Sequence, residues 1–217
     1  MMNDEVKAMK GEMKGAFFQF RNLHSSFILE MKSTEIIEAI RQKLTVPGGR
    51  HLYGVLGAYT QLNGFAKKLT QAKTTDGDPF PKPVNVNRGI LDAILDDEFK
   101  QLAENEAKRP EPTAAHVARA FERFLRANLT GLPAPGVARQ AGKGILVLSN
   151  LEMLFAYHIE LNLLRTMAAD EERVLLLLPG RRSRGRIIMF HEMDEGDYTL
   201  PTNLTAENHL WEIRDNR

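Results

Sequence analysis

Two hydrophobic periods alternate along the chain, one of about 3.6 residues and one of short continuous apolar runs, and together they predict alternating helices and buried strands. Residues 1–32 are rich in Met and Phe at mostly helical spacing. A second helix is expected after Ser33, a suitable N-cap with Glu35 in the first turn, and Ile36, Ile37, Ile40 and Leu44 make its apolar stripe. Pro47-Gly48-Gly49 ends it. The run 51–56 reads as a buried strand that stops at Gly57. A polar turn and a helix over 62–72 follow, then a Pro/Gly/Asp-rich loop over 73–83. Residues 84–87 read as a short strand, 90–102 as a helix, 104–113 as a loop or helix end, and 114–129 as a helix. A Pro/Gly-rich connection over 131–144 leads to the clearest buried strand, 145–148. A helix over 152–167, a strand over 174–178 closed by Pro179-Gly180, and a fifth strand over 186–190 complete the pattern.

Strands that are apolar on both faces and separated by helices imply a mostly parallel sheet covered on both sides. The expected fold class is therefore an α/β three-layer sandwich of P-loop NTPase-like outline over residues 47–217, with residues 1–46 as an N-terminal helical extension. Ligands of such folds sit beyond the carboxyl ends of the strands, which directs attention to the residues after Leu56, Leu148 and Leu178.

Composition narrows the chemistry. The chain has 217 residues, a formal net charge of +1 and no cysteine. The length suits one domain, and the near-neutral charge confines any polyanion contact to a local patch. The missing cysteines exclude disulfides, thiolate zinc sites and cysteine nucleophiles. No apolar run reaches the ~18 residues that span a bilayer, and the polar start lacks a secretory signal, so no membrane partner and a cytoplasmic location are expected. The six histidines form no short metal-ligand spacing, no G-x-S-x-G element appears, and no metal or catalytic residue is assigned.

A phosphate loop needs two glycines, a lysine and a hydroxyl in the pattern G-x-x-x-x-G-K-[ST]. After the first strand stands Gly57-Ala58-Tyr59-Thr60-Gln61-Leu62-Asn63-Gly64. Gly57 fits; Leu62 takes the place of the second glycine, Asn63 that of the lysine and Gly64 that of the hydroxyl. Lys67, one turn beyond Asn63, is the cation that could reach back to an anion. At the end of the third strand, Ser149 occupies the place of the magnesium-binding acid and Asn150 that of its neighbour, with Glu152 two residues on. Gly57, Asn63, Gly64, Lys67, Ser149, Asn150 and Glu152 thus mark a vestigial nucleotide site. Charge neutralisation and metal binding supply most of phosphoryl-transfer catalysis, and these substitutions remove both. No cofactor is assigned, ATP with magnesium being the alternative.

Five stretches resemble the small P-loop protein of BREX-type phage-defence systems, the BrxF-like family: His51–Gly57, Val84-Asn85-Val86-Asn87 with the helix after it, Ile145–Phe155, Val174–Gly180 and Ile187–Phe190. The resemblance spans residues 50–198. It is carried best by Asn150, Leu151, Glu152, Leu154, Phe155 and Pro179-Gly180, and it departs from the family at the phosphate loop and at Ser149. It implies a P-loop fold and a role among the proteins of a defence system.

The run Arg181-Arg182-Ser183-Arg184-Gly185-Arg186 is the strongest local charge. It reads either as a solvated hairpin turn or as a contact for phosphate, with Arg181, Arg182, Arg184 and Arg186 as nucleic-acid-binding candidates. The Met/Phe-rich start reads either as core or as a contact for a partner or a second copy. The leading expectation is a non-catalytic, P-loop-like component of an antiphage defence complex that binds partner proteins, with DNA or RNA as a further partner. The alternatives are an atypical ATPase using Lys67, Glu152 and the arginines, and a standalone DNA/RNA-binding module.

Overall fold

The structure, a computed structural model, describes residues 30–105, 110–129, 145–190, 198–201 and 203–214. The Met/Phe-rich residues before Glu30 and the connection over 131–144 lie outside the described residues. The strands are β1 (Glu30–Met31), β2 (Leu52–Gly57), β3 (Val84–Asn85), β4 (Leu146–Ser149), β5 (Val174–Ser183), β6 (Arg186–Met189), β7 (Tyr198–Leu200) and β8 (Leu210–Ile213). The helices are α1 (Ser33–Leu44), α2 (Tyr59–Gln71), α3 (Val86–Ala93), α4 (Asp96–Asn105), α5 (Pro110–Leu129), α6 (Glu152–Ala156) and α7 (Asn162–Met167).

Six strands pair in parallel in the order β1-β8-β2-β5-β4-β3. Because side chains alternate along a strand, β2, β4, β5 and β8 each feed two cores. Tyr53 and Val55 of β2, Leu175 and Leu177 of β5, and Trp211 and Ile213 of β8 pack with Ile36 and Ile40 of α1 and with Phe65 and Leu69 of α2. Leu52, Leu56, Leu148, Leu176 and Leu178 face the other way, towards Ile90 of α3, Phe121 and Leu125 of α5, Leu154 of α6 and Leu164 of α7. The result is a three-layer α/β arrangement with helices on both faces of a mostly parallel sheet. Residues 30–46 belong to this sandwich: β1 pairs with β8, and Ile36 and Ile40 are fully buried, each worth roughly 1.5–3 kcal/mol of burial. At Gly54 a Cβ would come 2.6 Å from Leu210 Cδ1, so the glycine lets β8 pack tightly beside β2.

Several elements differ from the pattern reading. The helix expected over 62–72 begins at Tyr59, because Gln61 Oε1 accepts the Ala58 N–H at 2.7 Å and caps the first turn. The strand expected over 84–87 stops at Asn85, whose side chain accepts the Arg88 N–H at 2.9 Å, and α3 starts at Val86, four residues before the expected helix. The helix expected over 90–102 is two helices broken at Ile94, where ψ is 129°. The helix expected over 152–167 is also two pieces; His158 takes a φ of 53°, and the Ile159 N–H reaches back to the Leu154 carbonyl at 2.7 Å. That helix-ending geometry usually falls on glycine, and its absence hid the break. β5 runs past Pro179-Gly180 to Ser183 and forms an antiparallel ribbon with β6 and β7.

Candidate functional site

The carboxyl ends of β2, β3, β4 and β8 lie on one edge of the sheet, since these strands are parallel. A cleft of about 130 Å³ opens there, lined among others by Tyr59, Asn63, Ser149, Asn150 and Pro179. Three of the expected site residues therefore meet: Asn63 from α2, and Ser149 and Asn150 from the end of β4. Sites for small-molecule ligands usually run to roughly 300–1,000 Å³, so this cleft is small for a nucleotide.

The backbone around the cleft explains its size. Ala58 alone separates β2 from α2. The pattern of a phosphate loop places several residues between strand and helix, where their N–H groups can turn towards phosphates. Here Tyr59, Thr60, Gln61 and Leu62 are already helical, and the Leu62 N–H is taken by the Ala58 carbonyl at 2.9 Å. Leu62 is buried in the core. Gln61 turns its amide oxygen onto the Ala58 N–H, over the helix end where an anion would otherwise sit.

Glu152 stands beside the cleft in a hydrogen-bonded cluster. Its Oε1 accepts from the Tyr59 hydroxyl at 2.8 Å and its Oε2 from Asn87 Nδ2 at 2.8 Å. Asn87 Oδ1 accepts the Met153 N–H at 3.0 Å, and the Asn87 N–H donates to the Asn150 carbonyl at 3.1 Å. Asn150 adopts a φ of 56°, a left-handed turn that asparagine tolerates better than most residues. Ser149 Oγ lies 3.4 Å from the Val84 carbonyl, which ties β4 to β3. Glu152 thus joins the starts of α2, α3 and α6, with each carboxylate oxygen already holding a donor. Tyr59 and Asn87 are the members that reading the sequence left unassigned. Asn87 was visible within Val84-Asn85-Val86-Asn87; Tyr59 carried no signal, because its partner is 93 residues away.

The other expected residues disperse. Gly57 is buried at the end of β2, paired with Pro179. Gly64 faces a different groove, on the other side of α2. Lys67 is exposed on α2 and is not among the cleft residues. Among the described residues, no group of three or more histidines and acids is placed to hold a metal ion.

The arginine run lies on the ribbon that extends β5. Arg184 and Gly185 have φ of 47° and 78°, the paired positive values of a tight two-residue turn between Ser183 and Arg186. The run divides by side. Arg181 and Arg186 are exposed on one face of the ribbon, and Arg184 stands at its tip. Arg182 shares the opposite face with the buried Ile187. Its Nη2 donates to the Leu210 carbonyl at 3.4 Å, and its peptide N–H donates to Glu212 Oε1 at 3.3 Å. Arg182 therefore fastens the ribbon to β8, and the three other arginines point outward.

No family model matches the chain, and no curated protein matches it.

Proposed function

We propose that this chain is a P-loop-like α/β domain that does not turn over nucleotide and works as a binding component of a prokaryotic antiphage defence complex, touching partner proteins and nucleic acid. The observation that carries the reading is the single residue between β2 and α2. With helix in place of a loop, a triphosphate finds no cradle of N–H groups, and Asn63 and Gly64 add no charge and no hydroxyl. Glu152, bonded to the cleft-lining Tyr59, also bonds to Asn87 and holds three helices together. The P-loop-like ancestry and the defence setting follow from the likeness to the BrxF-like family, and the position of β2 between β5 and β8 is compatible with that ancestry. The nucleic-acid contact follows from Arg181, Arg184 and Arg186, exposed together on one ribbon, where planar guanidinium groups suit phosphate oxygens.

Calorimetric titration of the full chain with ATP, with and without magnesium, tests the first half. No binding in the micromolar range and no phosphate release are expected; micromolar magnesium-dependent affinity, or turnover by the chain alone, would overturn the reading. Fluorescence anisotropy with labelled DNA and RNA tests the second half. Salt-sensitive binding that weakens in Arg184→Ala/Arg186→Ala is expected, and indifference to those substitutions counts against it. Neighbouring methyltransferase and phosphatase-like genes would support the defence setting.

A further inference from the structure

A second opening on the same sheet edge has a different character. A groove of about 520 Å³ lies between the start of α1, one side of α2 and the end of β8. Its lining includes Lys32, Lys68 and Arg214, together with Ser33 and Thr34, and no carboxylate. Among the described residues none of these three cations is ion-paired. The nearby acid of α1, Glu35, accepts the Lys32 peptide N–H at 2.8 Å. Gly64 keeps the wall of α2 open, with nothing within 4 Å of where a Cβ would stand. The groove is four times the volume of the cleft at Asn63, within the ordinary range for a ligand site.

The groove adjoins the arginine ribbon across one strand. Successive residues of β8 face opposite sides of the sheet. Ile213 lines the groove, whereas Glu212 meets the Arg182 peptide on the ribbon side. Arg214 is fixed at the boundary by its N–H, which donates to the Met31 carbonyl at 3.0 Å. Cations therefore flank the end of β8 on both sides.

We propose that the groove between α1, α2 and the end of β8 binds backbone phosphates of a nucleic-acid strand whose path continues onto the arginine ribbon, with Lys32, Lys68 and Arg214 as the charge contacts. This rests on the nucleic-acid reading of the ribbon and extends it to a second surface. No carboxylate is among the groove's lining residues, and the lysine and arginine charges with the Ser33 and Thr34 hydroxyls suit phosphate oxygens at any base sequence.

The test is anisotropy of the full chain with a labelled 30-nucleotide single strand across 50–200 mM salt. The variants are Lys32→Gln/Lys68→Gln/Arg214→Gln in the groove, Arg184→Gln/Arg186→Gln on the ribbon, and Lys100→Gln on α4 in the opposite helix layer as a control. Each lost phosphate contact lowers the slope of log K against log salt by about 0.7, so the groove variant should lose about 2. Lys68→Gln alone should lose about 0.7, and Lys100→Gln nothing. If the wild type does not bind, the nucleic-acid reading fails and this inference with it. If the ribbon variant weakens binding but the groove variant keeps the wild-type slope, or if Lys100→Gln loses as much as Lys68→Gln, the groove assignment alone is wrong. Protection of the wild-type groove by inorganic pyrophosphate, with no competition from the oligonucleotide, would assign it to small phosphorylated ligands and overturn the proposal.

Discussion

Glu212 sits on β8 beneath the arginine ribbon, and burial pushes its carboxyl above the ordinary value of 4.5; the Arg182 peptide and guanidinium pull it down, and Glu30 adds to the rise. A carboxyl raised in the folded state holds a proton that the unfolded chain has released. Stability therefore falls as pH rises from about 4.5 through the raised folded value, and the cost stays at neutral pH. Glu212→Gln keeps an oxygen acceptor for the Arg182 N–H and removes the buried charge. It is expected to raise the melting temperature at pH 7, with the gain vanishing near pH 4; a gain of equal size at both pH values would rule out the carboxylate as its source. The residue scale also shows where reading the sequence fell short. Arg181, Arg182, Arg184 and Arg186 look equivalent as a run, yet the pleat sends Arg182 to the inner face beside Ile187 and leaves the others outside. Such sorting depends on strand register, which no single residue reports.

At the scale of elements, helix cores were legible and helix ends were not. The stripe Ile36, Ile37 and Ile40 is buried as its spacing implies. The start of α2 was missed because it depends on one side chain, Gln61, folding back on Ala58. Two glycines in helices test how packing modifies local preference. Gly64 in α2 meets nothing within 4 Å, so Gly64→Ala should stabilise by about 0.5–1 kcal/mol through the lower cost of ordering alanine. At Gly89 in α3 a Cβ would lie 2.3 Å from the Phe124 ring of α5. Gly89→Ala gains the same helical preference, but overpacking costs typically 1–3 kcal/mol, so a net loss is expected. Urea unfolding of both variants checks the opposite signs. Equal stabilisation by the two would mean that α3 and α5 are not packed as closely as described.

At the scale of the whole molecule, the sheet is completed by a strand from the end of the chain. β8 lies between β1 and β2 and contributes Leu210 to one core and Trp211 and Ile213 to the other. Removing residues 206–217 would expose both cores and leave β1 without a neighbour. Loss of cooperative unfolding by far-ultraviolet circular dichroism is the expected outcome; a sharp transition in the truncated chain would show that β8 is dispensable. In the full chain the sole tryptophan, Trp211, is 6 % exposed, so its emission should shift to longer wavelength in step with that transition. Among the described residues, no helix is long and apolar enough to cross a membrane.

Apolar runs and their spacing, taken alone, pointed to alternating helices and strands and to a mostly parallel α/β sheet, and the residues after the first and third expected strands visibly lack the lysine, hydroxyl and acid of a phosphate-loop pattern. Those properties are local: a run of leucines demands burial wherever it lies, and a missing side chain is missing in any fold. Tertiary structure alone decided that β8 enters beside β2, that Glu152 bonds Tyr59 and Asn87, and that Lys32, Lys68 and Arg214 share one groove. Each of these joins residues far apart in the chain, and hydrogen bonds and charges act through distances in space that sequence separation does not encode.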